Sequence, residues 1–248
     1  MKRLLRVFLG PLSAGEARLE GAQFRYVARV HRLRPGDELV AFDPEARLET
    51  RARVVEVGRH HAVCCLEAPG PARLVSPVRL TLVQCVGKGE KPDRVVRDAT
   101  ALGATTIVLA TSSRTVVRLD ARSEARQRRW QRLALDAARQ SQRGDVPSVE
   151  GPIPLRQALD DVAGRGGSRL CLEARAAVSV DEALRAWQPE TPLTVLVGPE
   201  GGLTEAELGL AELAGFRLVR LGPFVLRTET AATAILGAVA ARMAPLAE

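Results

Sequence analysis

Hydrophobic and polar positions change rhythm near residue 70. From Arg3 to about Glu67 the apolar residues come in short runs, RVFL, DELVAFD, RARVVEV and HAVCCLE, separated by charged residues and by turn formers such as Pro35-Gly36. Such runs predict strands, and four of them in this length predict a small β-barrel. APGPARLVSP, 68–77, is rich in Pro and Gly and reads as a linker. Beyond it the strand-like runs VRLTLVQCV, TTIVLAT, RLCLE, LTVLV and FRLVRL alternate with helical stretches over 92–102, 123–142, 179–187, 204–214 and 229–242. Alternation of this kind predicts an α/β fold with a parallel sheet covered on both faces. The expected domains are 1–70, a small β-barrel, and 71–248, an α/β domain.

Composition narrows the class without naming it. A chain of 248 residues with 46% hydrophobic content suits a soluble globular protein, and no apolar run reaches the roughly 18 residues of a membrane span. MKRLLRVFLGPL is too brief and too interrupted by Arg for a signal peptide, so the expected location is the cytoplasm and no membrane partner is expected. Cys64, Cys65, Cys85 and Cys171 lack C-x-x-C spacing and lie in apolar runs, which predicts buried free thiols. His60 and His61 are adjacent, and no metal site is expected. The net charge of +7 is uneven: 113–146 carry 9 Lys/Arg against 4 Asp/Glu, whereas 147–248 carry 9 against 13. The basic part suits a polyanion such as nucleic acid.

Two segments carry the chemistry. In LVGPEGGLTEAEL, 196–208, an apolar run meets a glycine loop, and Thr204 with Glu207 has capping-box spacing for the helix that follows. Phosphate loops of this shape carry Lys and Ser/Thr; here Glu200 stands in the loop, and a carboxylate repels phosphate. The loop therefore suits a neutral or cationic small molecule, or is a tight surface turn. In LGPFVLRTETAATAILGAVA, 221–240, a second strand ends in a Gly-Pro loop and enters an Ala-rich helix near Thr228 or Thr230. Both loops fall at one edge of a parallel sheet, outside the strands' carboxyl ends, where open α/β sheets bind ligands.

With these residues in view, nearly the whole chain resembles the RsmE group of the SPOUT methyltransferases, the 16S ribosomal RNA uracil-N3 methyltransferases. RVFL and VHRLRPGDELVAFD are similar to the group's N-terminal barrel; ALGATTIVLATSSRTVV, ARQSQRGDVPSV, LVGPEGGLTEAEL and LGPFVLRTETAATA are similar to its catalytic domain. The resemblance implies a SPOUT trefoil-knotted parallel-sheet domain with a small PUA-like β-barrel, S-adenosylmethionine as cofactor, and a homodimer. The implied substrate is a decoding-site uridine of 16S ribosomal RNA in the small ribosomal subunit. The implied cofactor contacts are Leu172, Leu196, Gly198, Pro199, Glu200, Gly201, Leu221, Gly222, Val225, Leu226, Arg227, Thr230 and Ala231. Arg227 and Glu229 are the expected catalytic pair, a guanidinium for the uracil anion and a carboxylate for its proton. Arg6, Arg29, Arg32, Lys88, Arg114 and Arg143 are expected to contact RNA. Asp98 and Ala101 depart from the group's KATELG pattern. Action on transfer RNA or a ribose 2′-oxygen, or a non-catalytic role in ribosome assembly, remain the alternatives.

Overall fold

A computed structural model describes residues 4–115 and 123–243; Val116 and Val117, which close one family-like segment, lie outside the described residues. The chain divides into two compact units, Met1–Val75 with Ala138–Val146, and Ser76–Ala137 with Pro147–Glu248.

The first unit is built on β1 (Leu5–Phe8), β2 (Gly15–Leu19), β3 (Glu38–Asp43), β4 (Leu48–Val57), β5 (Ala62–Leu66) and the short β6 (Gly70–Pro71). The sheet runs β1-β3-β4-β5-β2, with β6 beside β4; β1 and β3 are parallel and the other pairs antiparallel. Alternation shows why β4 belongs there: Thr50, Ala52 and Val54 turn inward while Arg51, Arg53 and Val55 face out. Ala52 and Val54 join Val7, Leu39, Ala41, Cys64 and Leu66 in one core. The Pro35-Gly36 turn forms as expected, with Gly36 at φ 94° and the Asp37 carboxylate accepting the Arg34 N–H at 2.7 Å. β2 and the helical α1 (Gly21–Phe24), which runs into a π-helical turn over Arg25–Val30, were not anticipated. β2 is an edge strand exposed over most of its length, and so lacks the apolar alternation that marks its neighbours. Cys65 corrects the expectation of buried thiols: its neighbour Cys64 faces the core, with burial pushing the thiol up to about 11, whereas Cys65 faces out. His60 and His61 sit in the turn between β4 and β5.

The second unit comprises β7 (Leu80–Cys85), α2 (Lys91–Ala101), β8 (Thr106–Thr111), α3 (Ser123–Gln140) as far as Ala137, β9 (Ser148–Pro154), α4 (Leu155–Ala163), β10 (Ser168–Leu172), α5 (Val180–Arg185), β11 (Leu193–Val197), α6 (Glu205–Leu213), β12 (Arg217–Val219) and α7 (Thr228–Ala240). Its six strands are all parallel, in the order β12-β10-β11-β7-β8-β9. β7 and β11 are buried at every position, as central strands covered on both faces must be. β9 and α4 went unpredicted because SVEGPIP places Gly151-Pro152 inside the strand, where a turn is the ordinary reading. Against one region of the sheet α4 buries Leu155, Ala158, Leu159 and Val162 at helical spacing, with Val83, Val108 and Leu196 beneath them. α7 buries Ala232, Ile235, Leu236 and Val239, and packs against α2 and β11. Asp98 accepts a hydrogen bond from Thr233 at 2.9 Å, so it joins α2 to α7. Among the described residues no helix is long and apolar enough to cross a membrane, and no cluster of His, Cys, Asp and Glu could hold a metal.

Candidate active site

The parallel order places the carboxyl ends of β10, β11 and β12 side by side, with β10 between the two strands that lead into Gly-Pro loops. A cavity of about 510 Å³ opens there, a volume typical of small-molecule sites. One wall is Gly198–Leu203, the other Leu221 and Phe224–Thr228, and the floor comes from the end of β10 with Glu173 and Ala174.

Buried hydrogen bonds hold the first wall. Thr228, at the start of α7, donates from its hydroxyl to the Gly198 carbonyl at 2.6 Å and accepts from Gln84 Nε2 at 2.8 Å. Gln84 is the next-to-last residue of β7, so one threonine joins a central strand, the glycine loop and the last helix. Across the loop Arg114 donates to the Gly201 carbonyl at 2.5 Å, and a Cβ at Gly201 would stand 3.2 Å from the Arg114 chain. α6 begins as its sequence requires, with the Thr204 and Glu207 side chains capping each other's backbone. Glu207 also accepts the Ser113 N–H at 2.7 Å, which ties the β8 loop to the same corner.

Glu200 faces the cavity edge but is already neutralised. Its Oε1 accepts from Lys91 Nζ at 2.8 Å and from the Lys88 N–H at 3.2 Å. Burial would raise the Glu200 carboxyl, but the Lys91 hydrogen bond and the backbone N–H of Lys88 hold it below its ordinary range. Lys91 is raised in turn, first by its hydrogen bond to Glu200. Gly87 makes the approach possible, since a Cβ there would lie 2.8 Å from Glu200 Oε1.

Of the expected cofactor residues, Leu172, Gly198, Pro199, Glu200, Gly201, Leu221, Val225, Leu226, Arg227 and Ala231 line the cavity. Leu196, Gly222 and Thr230 do not: Leu196 is fully buried in the core of β11, and the other two face outward. The expected catalytic pair separates. Arg227 lines the cavity, is exposed, and makes no ion pair among the described residues. Glu229 is outside the lining; it is 7% exposed and its Oε2 lies 3.5 Å from Lys91 Nζ, so its position in the first turn of α7 aims it at α2. Glu229, expected as the base, is thus placed beside Lys91 and not in the cavity lining.

The expected RNA contacts separate in the same way. Arg29, Arg32, Lys88 and Arg114 are exposed, Arg114 with its Gly201 bond. Arg6 is buried against Phe42 with its guanidinium 2.8 Å from Glu49, and Arg143 is buried 2.7 Å from Asp145. Both guanidiniums are therefore placed in internal ion pairs and not at the exposed surface. Sequence reasoning missed Glu173, Phe224 and Thr228 in the lining. Glu173 had a signal, a lone charge directly after the apolar run RLCL; the long-range partnership of Thr228 with Gln84 had none.

The RNA methyltransferase domain family matches residues 75–240. Over 237 residues the chain is 36% identical to the ribosomal RNA small subunit methyltransferase E of Mycobacterium bovis, covering 92% of this chain and 87% of that one. The Bacillus subtilis protein of the same name is 28% identical over 227 residues, 89% of this chain and 88% of that one. Among solved structures, a ribosomal RNA small subunit methyltransferase E from Neisseria gonorrhoeae bound to S-adenosyl methionine superposes with a TM-score of 0.86. It is 31% identical, with 96% of this chain and 97% of that chain covered.

Proposed function

The chain belongs to the ribosomal RNA small subunit methyltransferase E family, and from that premise we propose that it methylates N3 of a decoding-site uridine in 16S ribosomal RNA, with S-adenosylmethionine as donor. The observation that carries this reading is the cavity at the ends of β10, β11 and β12, walled by two glycine loops and bordered by the exposed Arg227.

The residues present fit the donor. No lysine lines the cavity among the described residues, the lining is largely apolar, and the volume matches a nucleoside with a short side chain. When bound, S-adenosylmethionine supplies an electrophilic methyl group on a cationic sulfur. Gly198–Gly202 on one side, and Leu221 with Phe224–Leu226 on the other, are the residues that would hold the nucleoside. Arg227 stands where the uracil ring would meet the cavity. Its guanidinium stabilises the negative charge that spreads onto the ring oxygens when N3 loses its proton, a preorganised electrostatic contribution. Glu229 holds Lys91, and through it Glu200 and the glycine loop.

Arg29 and Arg32 in the first unit, and Lys88 and Arg114 in the second, supply the phosphate contacts of the RNA. Their complex should weaken steeply as salt rises. The first unit acts as a PUA-like RNA-binding barrel, and the second as the SPOUT domain. A trefoil knot is favoured by the chain path, since β12 is outermost in the sheet while α7 after it packs against α2 and β11. The working form is a cytoplasmic homodimer.

Incubation with labelled S-adenosylmethionine and undermethylated small subunits, followed by digestion and mass spectrometry, tests the reading. N3-methyluridine is expected. A ribose-methylated or transfer RNA product would transfer the site to another substrate, and no transfer despite measured cofactor binding would contradict the assignment.

A further inference from the structure

Three charged residues line the cavity among those described: Glu173, Glu200 and Arg227. Glu200 is already paired with Lys91, and Arg227 is exposed on the side where RNA would approach. Glu173 differs from both. It directly follows the last residue of β10, and its backbone is fixed at both ends, the N–H donating to the Val219 carbonyl at 3.0 Å and the carbonyl accepting the Ala176 N–H at 3.1 Å. One carboxylate oxygen accepts the Arg175 N–H at 3.1 Å. The other has no hydrogen-bond partner, and the carboxylate has no ion-pair partner, among the described residues. The side chain is half-buried, and Leu172, Val197, Leu221 and Val225 line the same cavity.

A carboxylate partly withdrawn from water in a largely apolar cavity, with no cation beside it, is a ready partner for a cationic ligand. Of the remaining polar groups in the lining, the Thr228 hydroxyl is already committed to Gly198 and Gln84. Resting on the cofactor reading above, we propose that Glu173 binds a cationic group of the methionine portion of S-adenosylmethionine, making it the anionic contact of the site. The role that the sequence suggests for Glu200 thereby falls to a residue one strand away. Two groups in that portion carry positive charge, the sulfonium and the α-ammonium, and both attract the same carboxylate.

Calorimetry on the full chain and on Glu173→Gln, with S-adenosylmethionine, S-adenosylhomocysteine and methylthioadenosine as ligands, separates the cases. S-adenosylhomocysteine lacks the sulfonium charge; methylthioadenosine lacks both charges. Loss of a charge-assisted contact should weaken S-adenosylmethionine roughly tenfold or more while methylthioadenosine is unchanged. An equal loss for S-adenosylhomocysteine assigns the contact to the ammonium, and a loss for S-adenosylmethionine alone assigns it to the sulfonium. Unchanged affinities, an equal loss for all three ligands, or a fall in turnover alone would each overturn the proposal. If the unaltered chain binds none of the three, the cofactor reading itself fails. Should Glu173→Gln lower the unfolding temperature, Glu173→Asp serves instead: it keeps the charge and should keep the preference for S-adenosylmethionine over methylthioadenosine, and loss of that preference would contradict the idea.

Discussion

The two glycine loops at the end of the sheet look alike in sequence and differ in how they are held. Gly198–Gly202 is fastened from three directions: Thr228 to Gly198, Arg114 to Gly201, and Lys91 with Lys88 to Glu200. In the second loop Phe224 is 78% exposed and Val225 86% exposed, and no side-chain hydrogen bond reaches 221–227 among the described residues. A pre-formed wall faces one left open. Preorganisation is worth most where a ligand must be gripped without reorganising the protein, and openness where a large substrate must arrive. The fastened loop therefore suits the small cofactor, and the open loop, ending in Arg227, suits the RNA.

The largest effect should come from the open side. Arg227→Ala should lower turnover roughly a hundredfold to a thousandfold, the scale of losing one transition-state donor, with cofactor affinity in calorimetry nearly unchanged. A parallel loss of affinity would place Arg227 in the fastened wall and blur the distinction. Next is Thr228→Val, which leaves Gln84 and the Gly198 carbonyl without their shared partner. The expected cost is about 1–3 kcal/mol in urea unfolding, together with weaker cofactor binding. Unchanged stability would mean that the loop is held by other contacts.

Lys91→Met should act more gently, because the Lys91–Glu200 pair is partly exposed and salt screens it. Roughly a twofold to fivefold loss of cofactor affinity is expected, shrinking in high salt. The pH dependence has a definite sign. Glu200 is depressed, so its contribution is present above its unfolded value and is lost as pH falls through the folded one; Lys91 is raised, so its contribution is full below its unfolded value and is lost as pH climbs through the folded one. Between those limits the difference between Lys91→Met and the parent should be flat, and a step near neutrality would implicate another group. Smallest of all, Val225→Ser should move stability by no more than about 0.5 kcal/mol, as expected for an exposed position. A larger loss would show that the second loop is covered in solution.

Much of this was legible in the sequence, for reasons that differ by element. The buried parallel strands announce themselves as unbroken apolar runs, LTVLV above all, and the Thr204–Glu207 box marks the start of α6 to the residue. Local patterns report local structure. β9 was hidden by Gly151-Pro152, and β2 by its exposure. At the site, the glycine loops were visible because backbone conformation demands particular residues there. Side-chain direction was not: Arg227 and Glu229 lie two positions apart, and the turn of α7 sends one to the cavity and the other to Lys91. Burial was equally illegible: Arg6 and Arg143 lie in internal ion pairs, Arg6 with Glu49, 43 positions along the chain, and Arg143 with Asp145, only two positions away.

A crystal structure of the chain with S-adenosylmethionine tests the central claim most directly. The account predicts the nucleoside between Gly198–Gly202 and Leu221–Leu226, the first loop unmoved, the second closed over it, and the methyl group turned toward Arg227. Cofactor bound elsewhere, or a first loop that rearranges while the second stays in place, would contradict it.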